Sequence, residues 1–418
     1  MSTQEPTPTL SPTEAALWEA FTGSNWDLAE TFALLRDNDP VLYMPALNMW
    51  AVSRYDDVVV ALRDHERFGH LPDDMMGAVP ADLAEELPAG YALSIPTLVN
   101  TDPPTHNRIR KLAQKSLTPR AVARFEALIR RTANGLIDGF VADGHADLAE
   151  QFALPLPVTV MANILGFPDS DHARFKRWIL GTFELFVPTL PAKRRHELAL
   201  GQIELNDYVH AAIEKRRSDP DDDIISGLIR AAEGEGERSL SDLEILGIIT
   251  QLTTGGFETT QGTIGLALVA LCEHPEVFEQ VRADPRLLPA VIEETIRRYN
   301  PARGVFRVAK SDVEISGRLI PKDSRIFVLV GAANLDPEMF AAPREFDIKR
   351  DVRNHVGFGT GVHSCPGMAL ARLDIRIALE LLVARLPNLR LVPDQQRPLA
   401  PGFIFCTPQH LEFEWDTQ

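Results

Sequence analysis

At 418 residues, with 45% hydrophobic side chains and a formal net charge of −17, the chain has apolar content for a large core and the wrong sign of charge for a nucleic-acid partner. Its three cysteines, Cys272, Cys365 and Cys406, are odd in number and far apart, which argues against a disulfide framework and against a CxxC-type zinc site. No linker, repeat or low-complexity run interrupts the chain after about residue 20. We therefore expect a polar, Pro/Thr-rich flexible arm over 1–15 and a single large domain over 16–418. No basic-then-apolar leader and no uncharged apolar run of about 20 residues stands in the sequence, so a cytoplasmic protein without a membrane partner is expected.

In chain order, VLYMPALNMWAVSRYDDVVVALRDHERF predicts short strands, with Met49 to Ser53 the clearest, and then a helix. From about Pro119 to Arg217 apolar residues recur at helical spacing, broken by Pro and Gly. SLSDLEILGIITQLTTGGFETTQGTIGLALVALCEHP predicts one very long helix with a Ser/Asp cap and a stop at Pro275. LLPAVIEETIRRY predicts another helix. VFRVAKSDVEISGRLIPKDSRIFVLVGAAN then alternates with period two around SGR and PKDS turns, as a small antiparallel sheet would. The expected class is mainly α with a smaller β portion.

GFGTGVHSCPG, residues 357–367, sets four glycines, Phe358 and His363 around Cys365, just before an apolar helical run. Glycine density brings backbone N–H groups close to whatever the turn wraps, because no Cβ intervenes. From the residues alone Cys365 has three readings: an inert thiol, a nucleophile with His363 as base, or a metal-ligating thiolate. The glycines suit the last, since a thiolate on haem iron needs N–H donors and a turn without bulk. In the long helix Gly255 and Gly256 cost roughly 1 kcal/mol each relative to alanine, which leaves a close helix crossing or a local widening as their reason. Glu258 on this apolar helix is either a salt-bridged structural residue or a proton carrier.

The pattern F-G-x-G-x-H-x-C-x-G, filled by Phe358, Gly359, Gly361, His363, Cys365 and Gly367, resembles the haem-binding signature of the cytochrome P-450 monooxygenases, whose thiolate ligation is a general property of the class. Other stretches agree in order and spacing from MWAVSRYDDV to the C-terminal FEW. The resemblance implies a single domain holding haem b between the long central helix and the cysteine loop, with Cys365 as proximal ligand to the iron. His106, Arg110, Arg307 and His363 would take the propionates, and Phe358 would pack beside the thiolate. GGFETT resembles the oxygen-activation segment, with Gly255, Gly256, Glu258 and Thr259 at the matching positions. Glu294 and Arg297 match E-x-x-R. The family's third, basic partner falls in PREF, where this chain has Glu345, so Arg344, Arg350 or His355 is the expected substitute.

The implied activity is a monooxygenase that uses dioxygen and electrons from a separate ferredoxin or flavodoxin with its NAD(P)H-dependent reductase, since the sequence carries no flavin or iron–sulfur motif. By analogy the pocket draws on Pro72 to Val99, Phe183, Phe186, Leu252 to Gly256, Val305, Phe403 and Phe405. That lining suits a small or medium apolar substrate, aromatic ones included, for hydroxylation or O-dealkylation. Hydroxylation of a natural product, terpenoid or polyketide, is the alternative within the family. A haem protein that only binds or senses a gas is the competing class, and it would have no use for Glu258–Thr259. Between His106 and Arg131 eight cations stand against Glu126, a local reversal of charge expected to meet an acidic redox partner.

Overall fold

The computed structural model describes residues 10–23, 26–71, 95–185, 190–233, 239–399 and 404–417. Helix starts use the capping chemistry written in the sequence. Ser11 Oγ accepts from the Glu14 N–H while the Ser11 N–H donates to Glu14 at 2.6 Å, opening the helix Pro12–Thr22. The expected arm over 1–15 is therefore too long: residues 12–15 are helical, and residues 1–9 lie outside the described residues. Ser241 and Glu244 make the same reciprocal pair at the start of Asp242–Gly255.

The central helix is not continuous. Asp242–Gly255 ends at the first of the paired glycines, and Glu258–Glu273 begins three residues later, after a two-residue break at Gly256 and Phe257. The second piece is buried on nearly all sides, including Thr260 through Leu271, as expected for a helix apolar all round. It packs on Leu288–Tyr299 and on Met368–Arg385, the helix that follows the cysteine turn, within the largest of the apolar clusters.

Among the described residues the strands are β1 (Val41–Met44), β2 (Met49–Val52), β3 (Phe68–Gly69), β4 (His145–Asp147), β5 (Val305–Ala309), β6 (Val313–Ile315), β7 (Arg318–Ile320), β8 (Arg325–Val328), β9 (Arg390–Leu391) and β10 (Glu412–Glu414). The predicted small antiparallel sheet divides. β5 and β8 pair antiparallel but join the N-terminal strands in a mixed sheet ordered β1-β2-β8-β5-β3, with β2 and β8 parallel. β6 and β7 form a separate ribbon around the SGR turn. A third sheet, β4-β10-β9, ties the C-terminal FEW stretch to residues 145–147. The result is one mainly helical domain with a smaller β portion, and among the described residues no helix is long and apolar enough to cross a membrane.

Two adjacent carboxylates on Leu288–Tyr299 fix the region beneath the cysteine turn. Glu294 and Arg297, both fully buried, form a two-pronged pair at 2.7 Å on each arm. Arg297 also donates to the carbonyls of Asn334, Pro343 and Glu345. Arg350 supplies the third member, its Nε 3.3 Å from Glu294 Oε1, so of the three expected substitutes it is Arg350 that serves; Glu345 contributes only its backbone. His355 is engaged by Glu293, and Arg344 lies near Glu30. Arg297→Ala would strand a buried carboxylate, and we expect a loss of roughly 3–5 kcal/mol in urea unfolding. Arg350→Ala, at the longer contact, should cost distinctly less. Equal stability of Arg297→Ala and wild type would show the pair to be dispensable.

Candidate active site

Cys365 stands in the wall between two concavities. One, of about 300 Å³, lies between the cysteine turn and the break in the central helix; its lining includes Phe358, Gly359, His363, Cys365 and Gly367 on one side and Gly255, Gly256, Glu258 and Thr259 on the other. The second, of about 880 Å³, opens on the opposite side of Cys365 and is lined by Arg110, Gln114, Thr118, Glu126, Glu293, Arg372 and Arg376 among others. The turn is closed by the Cys365 N–H donating to Phe358 O at 2.8 Å. Gly359 and Gly361 hold φ of 67° and 74°, and a Cβ on Gly361 would sit 2.8 Å from Leu62 O, so the turn needs glycine there.

Burial pushes the Cys365 thiol up, while the N–H groups of Gly367 and Met368 and the charges of Arg110 and Arg372 act the other way. Those donors, at the start of Met368–Arg385, are the kind that stabilise a thiolate. The other two cysteines have fewer such groups, the N–H of Leu391 at Cys272 and the guanidinium of Arg303 at Cys406, and neither lines a concavity described above. Cys272 is pushed up to about 11 by burial, and Cys406 is buried with its Sγ 3.5 Å from Trp26 O.

Of the four expected propionate ligands, His363 lines this slot and Arg110 the larger concavity, while His106 and Arg307 are buried and line neither. His106 is fully buried, its ring centroid 4.4 Å from that of His363, and its Nε2 has no partner. Burial lowers the pKa of His106 to about 4. His363 Nδ1–H donates to Leu98 O at 3.0 Å, and Arg110 donates to Ser364 Oγ at 3.1 Å. Arg307 is buried; desolvation lowers it to about 10, with Asp102 opposing. Asp102 is a member that sequence reading missed. Burial would raise its pKa, but His363, His70 and Lys310 outweigh that and hold it well below the usual carboxylate range, with Lys310 Nζ at 2.8 Å. Its only sequence signal is its place before the Pro-Pro that opens the His106 helix.

These residues fit haem. The orphaned imidazole nitrogen of His106, with the Arg110 and Arg307 guanidinium groups nearby, suits a carboxylate, and a carboxylate there would restore the charged form of His106. The slot has room on both walls, since a Cβ on Gly255 or on Gly367, which line it from opposite sides, would meet no atom within 4 Å. The two central glycines therefore differ in purpose. Gly255 faces open space, whereas a Cβ on Gly256 would meet Met161 Cε at 2.7 Å, which is the close-crossing reason.

At the break, the Thr259 and Thr260 hydroxyls donate to the carbonyls of Gly255 and Gly256 at 3.3 and 2.9 Å. Glu258 is buried, and among the described residues no cation pairs with it. Burial raises its pKa to about 7, against a smaller opposing effect of Thr407, whose hydroxyl also donates to the Glu258 carbonyl at 3.4 Å. The salt-bridged reading of Glu258 is thereby removed.

Of the expected substrate-pocket residues, Leu252, Val305 and Phe405 line the cavity, as do Leu98 and Val99 from the 72–99 segment. Residues 72–94, Phe186, Phe403 and the Phe183 side chain lie outside the described residues. Thr254, within the expected stretch Leu252 to Gly256, lines it too, and the cavity adds Gln251, which was not expected although it precedes Gly255 by one helical turn.

The cytochrome P450 family model matches residues 89–413. The chain is 34% identical to the 6-deoxyerythronolide B hydroxylase of Saccharopolyspora erythraea, over 87% of this chain and 90% of that one. It is likewise 34% identical to the mycinamicin IV hydroxylase/epoxidase of Micromonospora griseorubida, over 93% and 96%. Among solved structures it superposes on the cytochrome P450 CYP109Q5 of Chondromyces apiculatus with a TM-score of 0.82 and 35% identity, covering 93% of this chain and 95% of that one. With the cysteine turn, the broken central helix and the buried Glu–Arg pair all in one frame, the chain belongs to the cytochrome P450 family of monooxygenases.

Proposed function

We propose that this P450 binds haem b through Cys365 and hydroxylates an apolar natural product with electrons from a separate redox protein. The observation that carries this is the position of Cys365, between a slot that faces the Gly255–Thr259 break and a second, larger concavity. When bound, haem supplies the chemistry: dioxygen is reduced at the metal, one oxygen atom enters a substrate C–H bond and the other leaves as water. His106, Arg110, Arg307 and His363 bind and orient it through the propionates. Phe358, held between the turn and the Arg372 guanidinium at 4.4 Å, packs beside the thiolate. A carboxyl with pKa about 7 can take up a proton and give it up at neutral pH, so Glu258 is the proton store, and Thr259 Oγ1 hands the proton into the cavity.

Hydroxylation of a natural product, rather than dealkylation of an aromatic ether, is supported by the two relatives named hydroxylases. Among the described residues, Phe405 is the one phenyl ring that lines the cavity away from the cysteine turn, which gives an aromatic substrate little to stack on.

The electron donor is a ferredoxin or flavodoxin with its reductase, docking over the larger concavity. The basic stretch that suggested this is partly spent. Arg108 pairs with Glu244, Arg124 with Asp222 at 2.7 Å, and Arg130 with Glu126 and Glu380 at 3.0 Å. Lys115 and Arg120 keep no ion pair among the described residues, and they flank the lining residues Gln114, Thr118 and Pro119. An acidic partner would meet their charge.

Three measurements test the proposal. Reduced protein under carbon monoxide should show the strongly red-shifted Soret band of thiolate ligation, lost in Cys365→Ala and kept in Cys272→Ala; a globin-like band in wild type would sink the ligand assignment. Lys115→Glu or Arg120→Glu should slow stopped-flow reduction by a ferredoxin severalfold at low salt and flatten its salt dependence, and unchanged rates would move the docking face elsewhere. For Glu258 the folded pKa is raised, so its neutral form stabilises the fold below the unfolded value near 4.5, and this contribution is lost as pH rises through about 7. Glu258→Gln should thus gain on wild type in urea unfolding by up to roughly 3 kcal/mol between pH 4.5 and 7.5. Parallel pH curves would refute the buried, unpaired carboxyl.

A further inference from the structure

Among the residues that would receive the propionates stands one acid. Asp102, just ahead of the helix Thr105–Ala113 that carries His106 and Arg110, places its carboxylate 2.8 Å from Lys310 Nζ, 3.4 Å from His70 Nδ1 and 3.9 Å from His363 Nε2. Its backbone carbonyl accepts from the His106 N–H at 3.0 Å, and its Oδ1 accepts from the His70 N–H at 3.3 Å. These contacts reach each element that brings an expected propionate ligand: the helix of His106, the cysteine turn of His363, and β5, which carries Arg307 and ends next to Lys310. β3 pairs with β5 at Gly69 and Val308, and a Cβ on Gly69 would sit 2.9 Å from Asp102 Oδ2, so glycine there makes room for the carboxylate.

The carboxylate is ionised in the folded protein. Burial would raise its pKa, but the hydrogen bonds from His363, His70 and Lys310 outweigh that. Its charge acts on Arg307 and His106 as well. His363 Nδ1 is occupied by Leu98 O, which leaves Nε2 as its nitrogen for a propionate, and Asp102 faces that same nitrogen. Resting on the haem reading above, we propose that Asp102 is a positioning residue for haem: it aligns the His106 helix, His363 and β5 around the propionates, and its fixed negative charge holds the reduction potential of the iron down. The sign follows from Coulomb's law. Oxidised iron carries one more positive charge than reduced iron, so a nearby buried anion stabilises the oxidised form. Lys310, in contact with the carboxylate, cancels part of that charge.

The test is a spectroelectrochemical titration of haem-loaded wild type, Asp102→Asn and Lys310→Met, followed at the Soret band, with folding monitored by far-UV circular dichroism. Asp102→Asn keeps the shape of the side chain and removes its charge, so its midpoint potential should move up. Lys310→Met leaves the carboxylate uncompensated, so its potential should move down. Opposite shifts are the signature of a fixed charge; a bracing role alone would move both variants the same way or neither. The positioning role is read by haem transfer to excess apomyoglobin, which should be severalfold faster from Asp102→Asn than from wild type. Potentials that do not move, or that move with one sign, overturn the charge effect, and haem transfer at the wild-type rate overturns the positioning. If Asp102→Asn takes up no haem, Lys310→Met decides: a lowered potential supports the proposal and an unchanged one overturns it. If wild type itself takes up no haem, the haem reading falls and the proposal with it.

Discussion

Two adjacent glutamates, Glu293 and Glu294, hold the cysteine turn by facing different partners from one helix. Glu294 locks Arg297 and, through Arg297 and Arg350, the carbonyls of the 334–350 segment. Glu293 binds Arg372 at 2.6 and 2.8 Å and His355 at 2.9 Å; burial would raise its pKa, but the Arg372 guanidinium and the hydrogen bond from His355 bring it to about 2. Arg372 in turn lies over Phe358, whose carbonyl receives the Cys365 N–H. A chain of charge-assisted bonds thus runs from the Leu288–Tyr299 helix to the thiol, and a shift in any link would move the sulfur relative to the slot. Because the Glu294–Arg297 link is fully desolvated, it holds a fixed geometry where exposed ion pairs would not.

Across the slot, the opposite strategy operates. The helix over the cavity is broken rather than braced, with threonine hydroxyls on the Gly255 and Gly256 carbonyls and an unpaired carboxyl at Glu258. One wall fixes a sulfur by many strong contacts, and the other keeps polar groups under-satisfied so that they can exchange protons or bind a ligand. Local strain and unpaired polarity concentrate where chemistry occurs, while the opposing face supplies the rigidity that tolerates them.

The cysteine turn was legible in the sequence because positive φ and close backbone approach leave few choices but glycine, and the structure uses Gly359 and Gly361 in that way. Helix starts at Ser11 and Ser241 were equally local. The predicted continuous central helix failed at Gly256–Phe257, since period and composition carry through a two-residue break without changing. The predicted β region failed in topology rather than in strand content: alternation marks a strand but does not say that β8 will pair parallel with β2, nearly 280 residues earlier.

By itself the sequence determined what is decided within a few residues: the turn that presents Cys365, the i,i+3 pairing of Glu294 with Arg297, the i,i+4 placement of His106 with Arg110, and the mainly helical class. Only the tertiary structure decided which cation joins Glu294, because Arg350 reaches it through a fold of the 334–350 segment that no short pattern encodes. It also decided that Asp102 sits against His363, His70 and Lys310, that Gly255 opens on the slot while Gly256 abuts Met161, and that Gln251 is left with a buried, unpaired oxygen. The physical reason is common to all of these. Desolvation and pairing depend on which distant surfaces come together, and a residue type states only what a group can do once its surroundings are set.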